Sequence, residues 1–141
     1  GTSRNVPMSG AVVIIEDGVM THILIVDDSP TEIHVLTKIL EDNGFEVGQA
    51  ESGAEGIEKA KQTKPDLILM DVVMPGLNGF QATRQLTRDA DTADIPVIIV
   101  TTKDQETDRV WGLRQGAKDF LTKPVSEKVL LAKIEQILAT A

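Results

Sequence analysis

Residues 22–32 read His-Ile-Leu-Ile-Val-Asp-Asp-Ser-Pro-Thr-Glu, and this stretch decides the architecture. His22–Val26 is apolar and rich in β-branched side chains, the pattern of a buried strand. Asp27 and Asp28 stop it. A helix opens at once: Ser29 can cap it, Pro30 suits the first helical turn, and Glu32 stands at the spacing that closes a capping box. Ile33, Leu36, Ile39 and Leu40 supply a helical apolar stripe, and Asn43-Gly44 ends it. A strand turning into a helix through two acids puts charge at the strand's carboxyl end.

The same alternation runs through the rest of the chain. Residues 45–50 form a second, weaker strand, and Ser52-Gly53-Ala54-Glu55 repeats the capping spacing ahead of a second helix. Leu67–Met70 (LILM) is a third strand, running straight into Asp71. A loop over residues 72–77 leads to a third helix from about Asn78. Residues 96–100 (PVIIV) form a fourth strand ending at Thr101-Thr102, and a helix over about 105–115 stops at Gly116. Residues 118–122 are a short fifth strand, followed by Lys123-Pro124. Ser126 caps a last helix with the stripe Val129, Leu130, Ile134, Ile137, Leu138. Five strand–helix pairs predict an α/β fold: a doubly wound, five-stranded parallel sheet with five helices on its two faces. The first, third and fourth strands are nearly continuous apolar runs and read as its central members.

Composition bounds the function. The chain has 141 residues, enough for one domain with a core of its own, and no cysteine for a disulfide framework or zinc cluster. That suits a reducing cytoplasm. The formal net charge is −8, with no basic stripe for nucleic acid. No stretch approaches the length of a membrane span. Residues 1–20 read as an N-terminal extension or a remnant of cloning, and residues 21–141 as the domain.

In a doubly wound parallel sheet, sites form outside the carboxyl ends of the strands. Asp27-Asp28, Asp71 and Thr101 occupy three of those ends, and Lys123 follows a fourth. Three carboxylates converging in one pocket repel, so either some are protonated or a cation lies among them. Hard oxygen donors with water-accessible positions suit Mg²⁺ or Mn²⁺. Asp71, on the middle strand of the cluster, is the natural nucleophile for an acyl phosphate. Lys123 and a metal would neutralise an incoming phosphoryl group, and Thr101 would hydrogen-bond it.

Ile25-Val26-Asp27-Asp28-Ser29, Leu69-Met70-Asp71 followed by Met74-Pro75-Gly76, Thr101 and Lys123-Pro124 together resemble the CheY-like response-regulator receiver family over residues 21–139. The resemblance implies a flavodoxin-like strand order of 2-1-3-4-5 and phosphorylation on Asp71. It implies a metal held directly by Asp28 and Asp71, through water by Asp27, and by the Val73 carbonyl. Lys123 matches the phosphoryl-pairing lysine, Thr101 the switch hydroxyl and Phe120 the aromatic that follows it, and the Lys123–Pro124 bond is expected cis. Phe120 lacks the phenol many members carry, and Thr102 is bulkier than the small residue common there. The implied partners are a histidine kinase or phosphotransfer domain as donor, and a downstream protein target on the surface of helix four, strand five and helix five. A second option is service as a phosphate sink. Gly79-Phe80-Gln81-Ala82-Thr83-Arg84-Gln85-Leu86 and residues 101–108 are further similar to PilH-type regulators of type IV pilus twitching motility.

Two other classes share parts of this pattern. A metal-dependent phosphatase with an aspartate nucleophile would carry Asp-x-Asp, not adjacent acids, after the first strand. A flavodoxin-like cofactor binder would place a phosphate loop there, where two acids repel phosphate. Trp111, the sole tryptophan, either packs inward or lies on a partner face.

Overall fold

The computed structural model describes residues 15–16 and 19–140. Two short strands, β1 (Ile15–Glu16) and β2 (Val19–Met20), pair as an antiparallel ribbon. The rest of the 1–20 segment lies outside the described residues. From His22 onward the elements are β3 (His22–Val26), α1 (Pro30–Asp42), β4 (Glu46–Ala50), α2 (Gly53–Thr63), β5 (Leu67–Met70), α3 (Gly79–Arg88), β6 (Val97–Thr101), α4 (Glu106–Arg114), β7 (Asp119–Thr122) and α5 (Glu127–Thr140).

Strands β3 to β7 form one parallel sheet in the order β4-β3-β5-β6-β7. Counting only these five in chain order, this is 2-1-3-4-5, as the resemblance implied. The order reverses between β3 and β5, so a crevice opens there at the carboxyl edge. The central strands β3, β5 and β6 are fully buried, apart from the partly exposed His22 at the start of β3.

Alternate residues feed opposite cores, because successive strand side chains point to opposite faces. Ile23, Ile25, Leu67, Leu69, Ile98 and Val100 meet Ile33, Leu36 and Leu40 of α1 and Leu130, Leu131 and Ile134 of α5. Leu24, Val26, Ile68, Met70 and Val97 meet Ala60 of α2 and Ala82 and Leu86 of α3. Full burial of each large side chain contributes about 1.5–3 kcal/mol. A third, smaller cluster joins Val72, Ile99, Ala117 and Phe120. Trp111 projects outward, 47% exposed.

The helix starts differ from expectation in an informative way. Ser29 Oγ accepts from the Glu32 amide at 3.3 Å, and Ser52 Oγ from the Glu55 amide at 3.1 Å. Neither glutamate closes a box on its own cap residue, however. The Ser29 amide donates to Asp27 Oδ1 instead, and Glu55 Oε1 accepts from the Glu51 amide. The reciprocal box forms at α3, where Asn78 and Gln81 satisfy each other's amides at 2.9 Å. Amide-bearing side chains fill the same roles as a serine and a glutamate.

Candidate functional site

The acids at the crevice are held by main-chain bonds that extend the sheet past its last assigned residues. The Asp27 amide donates to the Ala50 carbonyl at 3.0 Å, and the Asp71 amide to the Val26 carbonyl at 2.9 Å. Asp27 is further fixed by the Ser29 amide on its Oδ1. Beyond Asp71, the chain closes back through the Gly79 amide, which donates to the Val72 carbonyl at 3.0 Å. A Cβ at Gly79 would lie 2.0 Å from the Asp71 carbonyl oxygen, so only glycine permits this closure.

Asp27, Asp28 and Asp71 each offer a carboxylate oxygen within 4.8 Å of the other two. Asp27 and Asp71 are buried, whereas Asp28 is exposed. Lys123 reaches this group from β7: its amide donates to the Thr101 carbonyl at 2.7 Å, and the Lys123–Pro124 bond is cis. Its Nζ lies 2.7 Å from Asp27 Oδ2, 3.6 Å from Glu32 Oε2 and 3.9 Å from Asp71 Oδ1, with the lysine side chain only 10% exposed. Thr101, at the end of β6, is completely buried, and its Oγ1 accepts from the Lys103 amide at 3.4 Å. Val73 is exposed on the loop after Asp71.

Burial raises the pKa of the Asp71 carboxyl above its ordinary value, and the charge of Asp27 raises it further. The Lys123 charge, the Thr101 hydroxyl and the Val72 backbone oppose them without reversing the shift. For Lys123, burial pulls the pKa down, but the hydrogen bond with Asp27 and the charges of Asp71, Asp27 and Glu32 outweigh it. Its pKa lies above the usual lysine value, so its ammonium stays charged near neutrality. Repulsion of this kind is relieved by a cation. The donor set is hard oxygen, and the exposed Asp28 leaves room for metal-bound water. These residues fit a small divalent ion.

Phe120 is 5% exposed and turned inward. Its ring is accommodated by Gly112 of α4, where a Cβ would lie 3.1 Å from Phe120 Cδ2 and 2.8 Å from Ile99 Cδ1. Three residues have roles here beyond those their sequence positions predict. Gly79 carries no signal beyond being a glycine near a helix start. The Asn78 cap was legible from its spacing to Gln81. Glu32 has the spacing of a cap but lies against Lys123 instead.

The family profile described as the response regulator receiver domain matches residues 23–135. The chain belongs to the response regulator receiver family. This receiver is 67% identical over 120 residues to Protein PilH of Pseudomonas aeruginosa, covering 85% of this chain and 99% of that protein. The solved receiver domain of a signal transduction histidine kinase from Syntrophus aciditrophicus superposes with a TM-score of 0.79 at 38% identity, over 86% of this receiver and 92% of that chain. A CheX-CheY complex with BeF₃ and Mg²⁺ from Borrelia burgdorferi gives a TM-score of 0.80 at 27% identity, over 85% and 90% of the two chains. Among the described residues of this receiver, no helix is long and apolar enough to cross a membrane.

Proposed function

We propose that this receiver accepts a single phosphoryl group on Asp71 from a phosphohistidine of a histidine kinase or phosphotransfer domain, and acts as a switch in a two-component phosphorelay. An Asp71 carboxylate oxygen attacks the phosphorus, a C–O–P acyl phosphate bond forms, and the donor's P–N bond breaks, its electrons returning to the imidazole, which takes up a proton. The observation that carries the reading is the meeting of Asp27, Asp28 and Asp71, with the buried ammonium of Lys123 set against Asp27 and Asp71.

Mg²⁺ or Mn²⁺, held by Asp27, Asp28, Asp71 and the Val73 carbonyl, would supply charge neutralisation to the transferring group. Lys123 pairs with one phosphoryl oxygen, and the Thr101 hydroxyl donates to another. The contact draws Thr101 toward the site, and Phe120, packed beyond it, biases the surface of α4, β7 and α5, a population shift set by differential contacts. The receiver catalyses only its own phosphorylation and dephosphorylation.

The exposed Val110, Trp111 and Leu113 of α4 support output through a protein partner, with draining of phosphoryl groups from the kinase as the second route. The extent of the likeness to PilH supports a role in chemotaxis-like control of type IV pilus motility. On this reading the receiver works in the cytoplasm. On the same reading, residues 21–141 form the receiver unit, with residues 1–20 an N-terminal extension or a remnant of cloning.

Incubation with Mg²⁺ and acetyl phosphate, followed by intact mass, tests the chemistry. One added phosphoryl group, absent without the metal and absent in Asp71→Asn, is the expected result. An unmodified wild-type protein, or modification that persists in Asp71→Asn, would sink the reading.

A further inference from the structure

Glu32 stands at the capping position of α1 but does not cap. The amide it would accept from, that of Ser29, is already given to Asp27 Oδ1 at 2.9 Å. Its carboxylate faces the site instead, 3.6 Å from Lys123 Nζ, with its side chain 42% exposed at the rim. There it borders a cleft of about 420 Å³, shared with Val35, Thr102, Lys123 and Pro124.

Lys123 does not need Glu32 to hold its place. Asp27 holds it at 2.7 Å, and the lysine side chain is nine-tenths buried. What Glu32 adds is charge. The carboxylates of Asp27, Asp71 and Glu32 lie against one ammonium, and that of Asp28 adjoins Asp27 and Asp71, four acids to one base. A divalent cation brings this group to one unit of negative charge, and removing Glu32 would bring it to neutrality. An incoming phosphodonor is itself an anion and meets that unit at the rim.

We infer that Glu32 is a charge gate on donor choice: it discriminates against small, free, highly anionic phosphodonors that approach Lys123. This rests on the reading of Asp71 as the phosphoacceptor and adds which donors the site admits. A donor presented on a protein surface can set a cation against Glu32, whereas a small free anion cannot.

The test compares wild type, Glu32→Gln and Glu32→Lys at saturating Mg²⁺ with two donors, dianionic acetyl phosphate and the less charged phosphoramidate. The main-chain cap survives both substitutions, because Ser29 Oγ accepts from the residue-32 amide. With acetyl phosphate at low ionic strength, Glu32→Gln is expected to raise the rate about three- to tenfold, and Glu32→Lys further. The gain with phosphoramidate is smaller, and both gains fade as salt is raised toward about 1 M. Mg²⁺ affinity, read from the amide resonances of Asp28 and Asp71, moves the other way and weakens about two- to fivefold in Glu32→Gln. A variant that had merely loosened the site would lose on both readouts. Equal gains with both donors, or an acetyl phosphate rate that is unchanged or lower, overturns the gate while Asp71 stands as acceptor. A wild-type protein that takes a phosphoryl group from neither donor removes the acceptor reading and the gate together.

Discussion

Helix α1 lays Ile33, Leu36 and Leu40 into the core, and its start is held by the Ser29 side chain. Helix α4 buries only Gly112, and its cap residue, Gln105, makes no side-chain bond to the helix. Val110, Trp111 and Leu113 of α4 stay exposed. The two helices thus dock on one sheet under different constraints. Around α1 and Asp71, side-chain packing and main-chain bonds over-determine one geometry. Around α4, few contacts would be lost on movement, and regions of that kind open at low free energy. A switch needs both: a site fixed well enough to place a phosphoryl group, and an element free enough to answer it.

Glycine substitutions test this contrast most sharply. At Gly79, an added methyl would meet the backbone of Asp71 and Val72 at 2.0 and 2.8 Å, atoms that cannot swing aside. Gly79→Ala should cost about 3 kcal/mol in urea unfolding and lower phosphoryl uptake from acetyl phosphate at least tenfold. At Gly112, the methyl would meet the ends of two side chains, Ile99 and Phe120, which can yield, and alanine favours the helix by about 1 kcal/mol. Gly112→Ala should therefore cost only about 1 kcal/mol, displace Phe120 and speed amide exchange across α4 while leaving α1 protected. Equal losses at the two sites would erase the distinction between the halves.

A smaller effect of opposite sign is expected at Asp71 itself. Burial and the Asp27 charge raise its pKa in the folded protein. Below the unfolded aspartate value of about 3.9, the carboxyl is protonated in both states and costs nothing. As pH rises through that value, the unfolded chain releases its proton while the folded one retains it. Stability is lost until the raised folded value is passed, and the penalty stays constant above it. In chelator, Asp71→Asn should therefore melt at a higher temperature than wild type at pH 7, with the gap closing toward about pH 3. A gap that is flat with pH would place the strain elsewhere.

Much of this molecule was legible in its sequence because the physics was local. The runs His22–Val26, Leu67–Met70 and residues 97–100 are apolar over their whole length, and the structure buries all but His22. Ser29, Ser52 and Ser126 cap where their spacing put them. The convergence of Asp27, Asp71 and Lys123 followed from the parallel topology alone. What could not be read depended on competition between partners. Glu32 and Glu55 had the spacing of reciprocal caps, but a nearby carboxylate captured one amide and another amide captured the second glutamate. Gly79 and Gly112 matter because of what lies across from them, and one-dimensional spacing carries no such information. The inward turn of Phe120 belongs to the same class.

The bond between Lys123 and Asp27 joins residues 96 positions apart. During translation, Asp27, Asp28 and Asp71 leave the ribosome well before Lys123 does. A nascent chain that has assembled β3 and β5 alone carries the acidic cluster without its counter-charge, with neither β7 nor the turn after it. A chain cut short before Lys123 would therefore hold Asp27, Asp28 and Asp71 together without the ammonium that Asp27 binds.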